Sequence, residues 1–286
     1  MSGNLMTGKP VSEVIKARTA VRTYKVQPLS ADLEEKLAGF FPGLTGPFGI
    51  KTRFKLIDSD MAQKESGIKL GTYGVIKGAS KFLAAAVEKA DKDLEEFGYL
   101  LEKLILYATS LGLGTCWLGG SFKQSEFAKA VDLKENEIIP AVTPVGYPSG
   151  SKSLLESIMR FSARSDTRKG WNELFFDRSF ANPLCQAGTG KYAVPLEMVR
   201  LAPSASNKQP WRIVRAHDRF HFYLQHTKGY AKMLPYDIQR LDIGIAMCHF
   251  ELTAKEAGIK GNWEILNPGT ENIPQLCDYV VSWVEG

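Results

Sequence analysis

Cysteine is scarce in this chain, and its cysteines are far apart. They are Cys116, Cys185, Cys248 and Cys277, and no two of them form a Cys-x-x-Cys pair. Closely paired cysteines are typical of redox motifs and zinc sites, and regular arrays of them are typical of disulfide frameworks. The spacing here indicates none of these, and we expect no metal site.

Histidine is equally scarce, with four residues in the chain. His217 and His221 have the spacing of two metal ligands on one face of a helix. Residues 219–224, however, alternate in the manner of a strand, and such a strand would separate the two rings. We therefore interpret both histidines as structural.

The chain also lacks a long hydrophobic run and a large excess of one charge. Its first ten residues contain no apolar segment typical of a signal peptide, and its most apolar stretch, residues 99–120, includes Glu102 and Lys103. We therefore expect no membrane span. With 36 basic and 31 acidic side chains, the net charge is +5, and without long basic runs nucleic acid is not the expected partner. A cytoplasmic protein that binds a small molecule fits this composition.

No glycine-rich segment of the dinucleotide-binding kind is present, because Gly112, Gly114 and Gly119 follow a predicted helix with the wrong spacing. A Rossmann domain is therefore not expected. Ser12 and Ser30 are candidate helix N-caps. Strands are predicted at residues 53–57, 81–87, 141–146, 212–215 and 279–284. We predict an α+β fold with helices around a largely antiparallel sheet.

An apolar helix pattern occurs twice, 146 residues apart. The first copy is Phe97, Leu101, Leu104, Ala108 and Leu111, followed by Gly112, and the second is Ile243, Met247, Phe250, Ala254 and Ala257, followed by Gly258. Trp263 then takes the position of Trp117. A looser match at an offset of 163 links Leu33-Glu34 and Pro47-Phe48 to Leu196-Glu197 and Pro210-Trp211. Because the two offsets differ, they predict an insertion in the first half, near residues 59–80.

Two unrelated amphipathic helices can share this spacing, so chance similarity is one reading of the pattern. The other is a true internal repeat. In that case the chain consists of two halves, residues 1–177 and 178–286, packed as a pseudo-symmetric fused dimer with a ligand site formed between them.

Three segments carry candidate binding chemistry. Residues 17–24 contain Arg18 and Arg22, which can present two guanidinium groups to one anion such as a phosphate. Residues 201–212 form a proline-bounded loop whose uncharged polar side chains suit a heterocycle rimmed with carbonyl groups. Residues 111–120 contain paired glycines that allow the backbone to approach a ligand. Each segment alone is also compatible with a solvated surface, a connection or a turn.

Together these segments resemble the nitroreductase family of FMN enzymes. Arg18-Thr-Ala-Val-Arg22 is similar to its Arg-Arg-Ser-x-Arg signature, and residues 203–211 are similar to its Pro-Ser-x-x-Asn-x-Gln-Pro-Trp segment. Residues 111–120 are similar to its Leu-Gly-Leu-Gly stretch. The Pro-Ser loop lies in the second half here, while residues 41–48 of the first half lack its polar residues. The whole chain thus resembles a subfamily with two halves in tandem, which implies one FMN per chain.

The resemblance implies a set of cofactor contacts and no catalytic side chain. It places Arg18, Thr19 and Ala20 near the FMN phosphate and ribityl, although Thr19-Ala20 replaces the family's Arg-Ser, and it places Arg22 near the N1/O2 edge. The other implied contacts are Trp117 and Leu118 on a ring face, the backbone of Gly119 or Gly120 near N5, and Ser204, Ala205, Asn207 and Gln209 from the second half. Arg168-Lys169 resembles the phosphate contacts that lie late in the sequences of the family, and Arg160 and Arg164 are alternative candidates for that role.

The resemblance implies an NAD(P)H oxidoreductase in which hydride passes through flavin N5 to a nitroaromatic, quinone or similar acceptor in a ping-pong cycle. Three alternatives remain open: another flavin reaction such as enoate reduction, dehalogenation or flavin breakdown, a non-catalytic flavin-binding protein, and a structural role. The acceptor, the choice between NADH and NADPH, and the state as a monomer or homodimer are not determined by the sequence.

Overall fold

We describe a computed structural model of the chain over residues 8–150, 167–230 and 235–286. The described residues divide into two compact units. Unit 1 comprises residues 8–9 and 17–150, and unit 2 comprises residues 10–16 together with those from 167 onward. The first helix, α1 (Val11–Ala17), thus falls almost entirely in unit 2.

Unit 1 combines helices with an antiparallel sheet. Its helices are α2 (Ala31–Phe40), α3 (Ser59–Ser66), α4 (Asp93–Ser110) and α5 (Gln124–Ala130), and its strands are β1 (Thr52–Asp58), β2 (Lys81–Glu88), β3 (Gly114–Thr115), β4 (Glu137–Ile138) and β5 (Val142–Gly146). The sheet has the order β1-β2-β5-β3, with β4 also paired to β2, and all these pairs are antiparallel. Residues 82–87 of β2 are all buried, as expected for a continuous apolar run covered on both faces.

Unit 2 has the same kind of architecture. Its remaining helices are α6 (Trp171–Leu174), α7 (Ala193–Arg200) and α8 (Gln239–Glu256), and its strands are β6 (Phe175–Asp177), β7 (Trp211–Ala216), β8 (Arg219–Gln225), β9 (Gly261–Glu264) and β10 (Cys277–Glu285). The sheet order is β6-β7-β8-β10-β9, and β6 pairs in parallel with β7 while the other pairs are antiparallel. Because β6 belongs to this sheet, the boundary expected after Asp177 lies inside unit 2.

The two units follow one plan. The order β7-β8-β10-β9 matches β1-β2-β5-β3, and the 18-residue helices α4 and α8 start 146 residues apart. Gly112 and Gly258, with φ of 81° and 74°, end these helices in the left-handed conformation that favours glycine. Strands β7 and β8 are joined by only two residues, whereas residues 59–80 join β1 and β2. The additional residues of unit 1 thus include the segment predicted as an insertion.

The sequence-based prediction of element types is confirmed for the five strands and for the two apolar helices. Ser30 is confirmed as the N-cap of α2, since its side chain accepts a hydrogen bond from the Leu33 N–H. The prediction for Ser12 is wrong, because α1 already begins at Val11. The carboxylate of Glu256, at the end of α8, accepts the N–H groups of Val11 and Ser12 instead.

The packed interiors of the units differ in character. Unit 1 contains a largely aliphatic cluster in which Phe82, Phe122 and Phe127 are the aromatic members. Unit 2 contains an aromatic group in which the Phe250 ring of α8 lies 5.5 Å from Phe222 and 5.8 Å from Trp283, both measured between ring centroids. Edge-to-face pairs of this kind stabilise a core beyond the burial of their area.

Candidate functional site

The Arg18–Arg22 segment is fixed on both sides within unit 1. The Val21 N–H donates to the Thr115 carbonyl at 2.8 Å, and the Lys77 N–H donates to the Arg22 carbonyl at 2.9 Å. A Cβ at Gly114 would lie 2.9 Å from the Val21 Cβ, so glycine is needed for this close approach. Two of the three segments identified from the sequence are therefore neighbours.

Two polar groups of these neighbouring segments are buried without a hydrogen-bond partner among the described residues. They are the Nε and Nη1 atoms of Arg22 and the Oγ1 atom of Thr115. Buried donors are almost always satisfied in folded proteins, so each unpaired group requires an explanation. A bound ligand that accepts hydrogen bonds would satisfy both.

Arg18 and Trp117 converge on Glu102, a carboxylate on α4 that is completely buried. The Trp117 Nε1–H donates to Glu102 Oε2 at 2.7 Å, and the Arg18 Nε atom lies 3.9 Å from Glu102 Oε1. Glu102 thereby fixes the indole and orients the guanidinium group. In the sequence Glu102 is distinguished only as a charge in an apolar stretch, and that position is the one signal for a functional acid on a buried helix.

The other residues predicted in unit 1 occupy different environments. Leu118 is 1 % exposed and packs in the core, and its backbone pairs in both directions with Val142. Trp117 and Gly119 are partly buried, while Thr19 and Gly120 are exposed. The predicted ring-face and N5 contacts of these residues remain predictions.

The Pro-Ser loop of unit 2 is held in a strained conformation. Ser206, Asn207 and Gln209 have φ values of 48°, 54° and 49°, and such left-handed non-glycine residues cost on the order of 1–3 kcal/mol each. The Ser204 Oγ atom accepts the Gln209 N–H at 2.9 Å, which closes the loop on itself. Strain of this kind persists only where the surroundings determine the conformation, and it is common in ligand-binding loops.

Arg168 and Lys169 lie against this loop. The Arg168 Nη1–H donates to Asn207 Oδ1 at 3.3 Å, and the Lys169 N–H donates to Gln209 Oε1 at 2.9 Å. Both residues belong to the first half expected from the sequence, whereas the structure places them in unit 2. Their rivals Arg160 and Arg164 lie outside the described residues.

Lys169 belongs to a cluster of cations. Burial lowers the pKa of Lys169 to about 8, the nearby charge of Arg212 lowers it further, Glu173 raises it by less than Arg212 lowers it, and Lys208 adds the smallest lowering effect. Burial likewise lowers the pKa of Arg212. A bound anion would relieve this repulsion, so the cluster is suited to a phosphate.

Other classes of site receive no support from the residues described. Across residues 8–150, 167–230 and 235–286, no three metal-ligating side chains come together, and no helix in these ranges combines the length and apolarity needed to cross a bilayer. The ring of His221 is buried and hydrogen-bonded to Ser282 at 2.6 Å, while His217 occupies the exposed β7–β8 turn. His221 is thus paired within the sheet, as expected of a structural histidine, whereas the interpretation of His217 stays a prediction.

Comparison with known proteins identifies the family. The family model described as Putative TM nitroreductase matches residues 10–254. The Putative NADH dehydrogenase/NAD(P)H nitroreductase of Archaeoglobus fulgidus is 27% identical over 175 residues, which cover 56% of this chain and 97% of that protein.

Two solved structures illustrate the range of fold similarity. The putative nitroreductase of Thermotoga maritima MSB8 aligns over 96% of this chain and 94% of its own, with a TM-score of 0.62 and 17% identity. The nitroreductase family protein of Clostridium novyi NT aligns over 52% of this chain and 91% of its own, with a TM-score of 0.41 and 20% identity. The similarity to the Thermotoga protein supports the same fold over nearly the whole chain. With a family model that matches most of its length, the chain belongs to the Putative TM nitroreductase family.

Proposed function

We propose that this protein binds one FMN per chain and acts as an NAD(P)H-dependent oxidoreductase of the nitroreductase type. The observation that carries the proposal is that Arg22 Nε and Nη1 and Thr115 Oγ1 are buried without a hydrogen-bond partner among the described residues, on two segments joined by the hydrogen bond from the Val21 N–H to the Thr115 carbonyl. Both belong to segments that resemble flavin-binding segments of the family. Family membership supports an oxidoreductase, and these residues support the cofactor.

The residues present in unit 1 fit an isoalloxazine or its ribityl phosphate chemically. Arg22 supplies charged donors for a carbonyl-rich edge, and Thr115 supplies a hydroxyl. Arg18 supplies a second cation, held near Glu102. When bound, FMN would supply the hydride chemistry between NAD(P)H and a small organic acceptor such as a nitroaromatic or a quinone.

Unit 2 contributes a preformed polar loop in this proposal. Residues 204–209 offer uncharged donors and acceptors, and the cluster at Lys169 offers positive charge. The polar residues of this loop are absent from residues 41–48 of unit 1. The contacts that the family resemblance implies within unit 2 are part of this proposal, with one FMN per chain: Ser204, Ala205, Asn207, Gln209, Arg168 and Lys169.

The protein's own residues have binding and orienting roles rather than acid–base roles in this proposal. Glu102 holds the Trp117 indole by one hydrogen bond, which restricts the ring to one orientation. Arg22 would hold a positive charge against the carbonyl-rich edge of bound FMN, and preorganised charge of this kind requires no rearrangement during reaction. No side-chain nucleophile or general base is assigned.

The proposal is tested by the visible spectrum of the purified full-length chain, recorded before and after anaerobic addition of NADH or NADPH. We expect an FMN-like spectrum, either as isolated or after FMN addition, with one FMN per chain, and bleaching by at least one of the two nucleotides. A colourless protein that does not take up added FMN would overturn the cofactor assignment. A flavin-loaded protein that neither nucleotide bleaches would overturn the enzymatic assignment and leave flavin binding intact.

A further inference from the structure

The two long helices each carry a buried carboxylic acid at the same position. Glu96 of α4 and Asp242 of α8 are 146 residues apart, in the first turn of their helices, and are 0% and 2% exposed. Burial of an acid is costly unless it is hydrogen-bonded, so a repeated buried acid indicates a repeated task.

In unit 1 that task is to hold a loop. The Phe48 N–H donates to Glu96 Oε2 at 2.8 Å, and a Cβ at Gly46 would overlap the Glu96 carboxyl group. Burial raises the pKa of Glu96, and the backbone N–H of Phe48 gives the largest opposing effect. Glu96 thus holds this loop through the Phe48 backbone, while its Oε1 atom has no hydrogen-bond partner among the described residues.

In unit 2 Asp242 contacts the Pro-Ser loop in the same manner. Its Oδ1 atom accepts the Ala205 N–H at 3.0 Å. Ala205 directly precedes the strained residues Ser206 and Asn207, and the Tyr230 hydroxyl donates to the Ser206 Oγ atom at 2.9 Å. The loop is therefore fixed from the helix at the residue where its left-handed stretch begins.

We propose that Asp242 is a positioning residue that fixes the 204–209 loop for flavin binding, as Glu96 fixes the 46–50 loop in unit 1. The part of this inference that concerns flavin rests on the proposed function, whereas the part that concerns loop order does not. Burial raises the pKa of Asp242 well above its ordinary value, with the charge of Asp237 acting in the same direction and the Ala205 hydrogen bond opposing it. Asparagine at this position keeps an acceptor oxygen in a side chain of the same shape.

Hydrogen exchange of the full-length chain tests the loop-holding role. Asp242→Asn keeps an acceptor oxygen, and Asp242→Leu keeps the branched side-chain skeleton without one. We expect peptides covering residues 201–210 to exchange at least ten-fold faster in Asp242→Leu than in the wild type and within two-fold of the wild type in Asp242→Asn. Glu96→Leu is the matched control, since it is expected to loosen residues 44–50 and to leave residues 201–210 unchanged.

Two results would overturn the loop-holding role. One is equal exchange of residues 201–210 in wild type and Asp242→Leu. The other is a wild-type protein in which residues 201–210 exchange as fast as residues 266–275. This second result needs no variant and therefore does not depend on whether the Asp242→Leu protein folds.

FMN titration of the same proteins tests the flavin-positioning role. We expect Asp242→Leu to weaken FMN binding about ten-fold and Asp242→Asn to restore it to within three-fold of the wild type. Faster loop exchange with unchanged FMN affinity would overturn the positioning role alone. If the wild type binds no FMN, the proposed function and the positioning role both fail, while the exchange measurement still decides whether Asp242 holds the loop.

Discussion

Units 1 and 2 share a strand order and a long central helix, yet their candidate binding segments are in opposite states. In unit 1 the Nε and Nη1 atoms of Arg22 are buried without a hydrogen-bond partner among the described residues. In unit 2 the side chain of Gln209 is fully engaged, since it accepts the Lys169 N–H and donates to Asn207. The arginine segment thus has buried donors left unpaired within the described part of the chain, whereas the side chain of Gln209 is paired.

A second pair of equivalent features shows the same divergence. Trp117 and Trp263 each donate an indole N–H to a glutamate at 2.7 Å, Glu102 in unit 1 and Glu251 in unit 2. Glu102 lies near Arg18 of the candidate site, whereas Glu251 pairs with Lys255 one turn along its own helix. The same tryptophan–glutamate contact therefore lies near a candidate binding residue in unit 1 and beside a surface lysine in unit 2.

Among the substitutions that test this comparison, the substitution of Arg22 is expected to have the largest effect. Hydrogen bonds to charged groups contribute about 1.5–3 kcal/mol each, so Arg22→Ala is expected to weaken FMN binding roughly ten- to hundred-fold or to lower the flavin potential. Riboflavin is expected to lose affinity to the same degree, because Arg22 is assigned to the ring rather than to the phosphate. Flavin fluorescence titration measures both constants.

The matched control is Arg219→Ala, which removes an exposed arginine from unit 2. FMN affinity in that variant is expected to stay within two-fold of the wild type. Unchanged affinity and unchanged potential in Arg22→Ala would contradict the role given to Arg22.

The residues before Pro47 and Pro210 provide the next test. Gly46 precedes the first proline and Gln209 the second, and a Cβ at Gly46 would overlap the Glu96 carboxyl group. Gly46→Ala is therefore expected to lower the free energy of unfolding by about 1–3 kcal/mol, the range for overpacking a filled interior. Thermal unfolding measures the loss.

Gly43→Ala serves as the control for Gly46→Ala, because a Cβ at Gly43 meets no atom within 4 Å. It is expected to change the unfolding midpoint little. Equal losses in both variants would show that the Glu96 contact does not restrict residue 46.

The shared plan of the units is the part of the structure that sequence patterns could predict. The spacing of Phe97, Leu101 and Leu104 depends only on the period of a helix with one buried face, and the structure confirms that helix. The cap of α1 could not be predicted in this way. Glu256 reaches Val11 from a helix 245 residues away in sequence, so a local rule favoured Ser12 instead.

The candidate site likewise has a part that the sequence could indicate and a part that it could not. The family resemblance assigns residues 18–22 and 111–120 to one flavin site, which stays a prediction, and in the structure the Val21 N–H donates to the Thr115 carbonyl. Glu102 and Asp242 were missed, because an acid within an apolar helix pattern does not reveal which tryptophan or loop will meet it. Their roles depend on tertiary contacts that no single spacing encodes.

Substitution of Lys169 is expected to have a smaller effect than substitution of Arg22, and it tests the contribution of unit 2 separately. Lys169→Met is expected to weaken FMN binding about ten-fold, or roughly 1.4 kcal/mol, and to leave riboflavin binding unchanged, because the cation cluster is assigned to the phosphate. Calorimetric titration with the two flavins measures the contrast with Arg22→Ala. Lys260→Met, at an exposed lysine of unit 2, is the control. Equal losses for FMN and riboflavin would remove Lys169 from the phosphate site.

The smallest expected effect concerns an ion pair that joins β4 to β1 in unit 1. The Arg53 Nε–H and Nη2–H donate to the Glu137 carboxylate at 2.7 and 2.6 Å, and the hydrogen bond from Arg53 lowers the pKa of Glu137 to about 2. Because the folded-state pKa is depressed, the stabilisation is present above pH about 4.5 and is lost as the pH falls toward 2. The Arg53 side chain is 39% exposed, so solvent screening reduces the contribution to on the order of 1 kcal/mol.

Glu137→Gln is therefore expected to be less stable than the wild type at pH 7 and to approach it near pH 2.5, as measured by urea unfolding across that range. Asp32→Asn, at the exposed Asp32–Lys36 pair of α2, is expected to cost no more than about 0.5 kcal/mol at pH 7. A stability difference between Glu137→Gln and wild type that is independent of pH would mean that the charge of Glu137 does not contribute, and that its hydrogen-bonding shape alone ties β4 to the sheet.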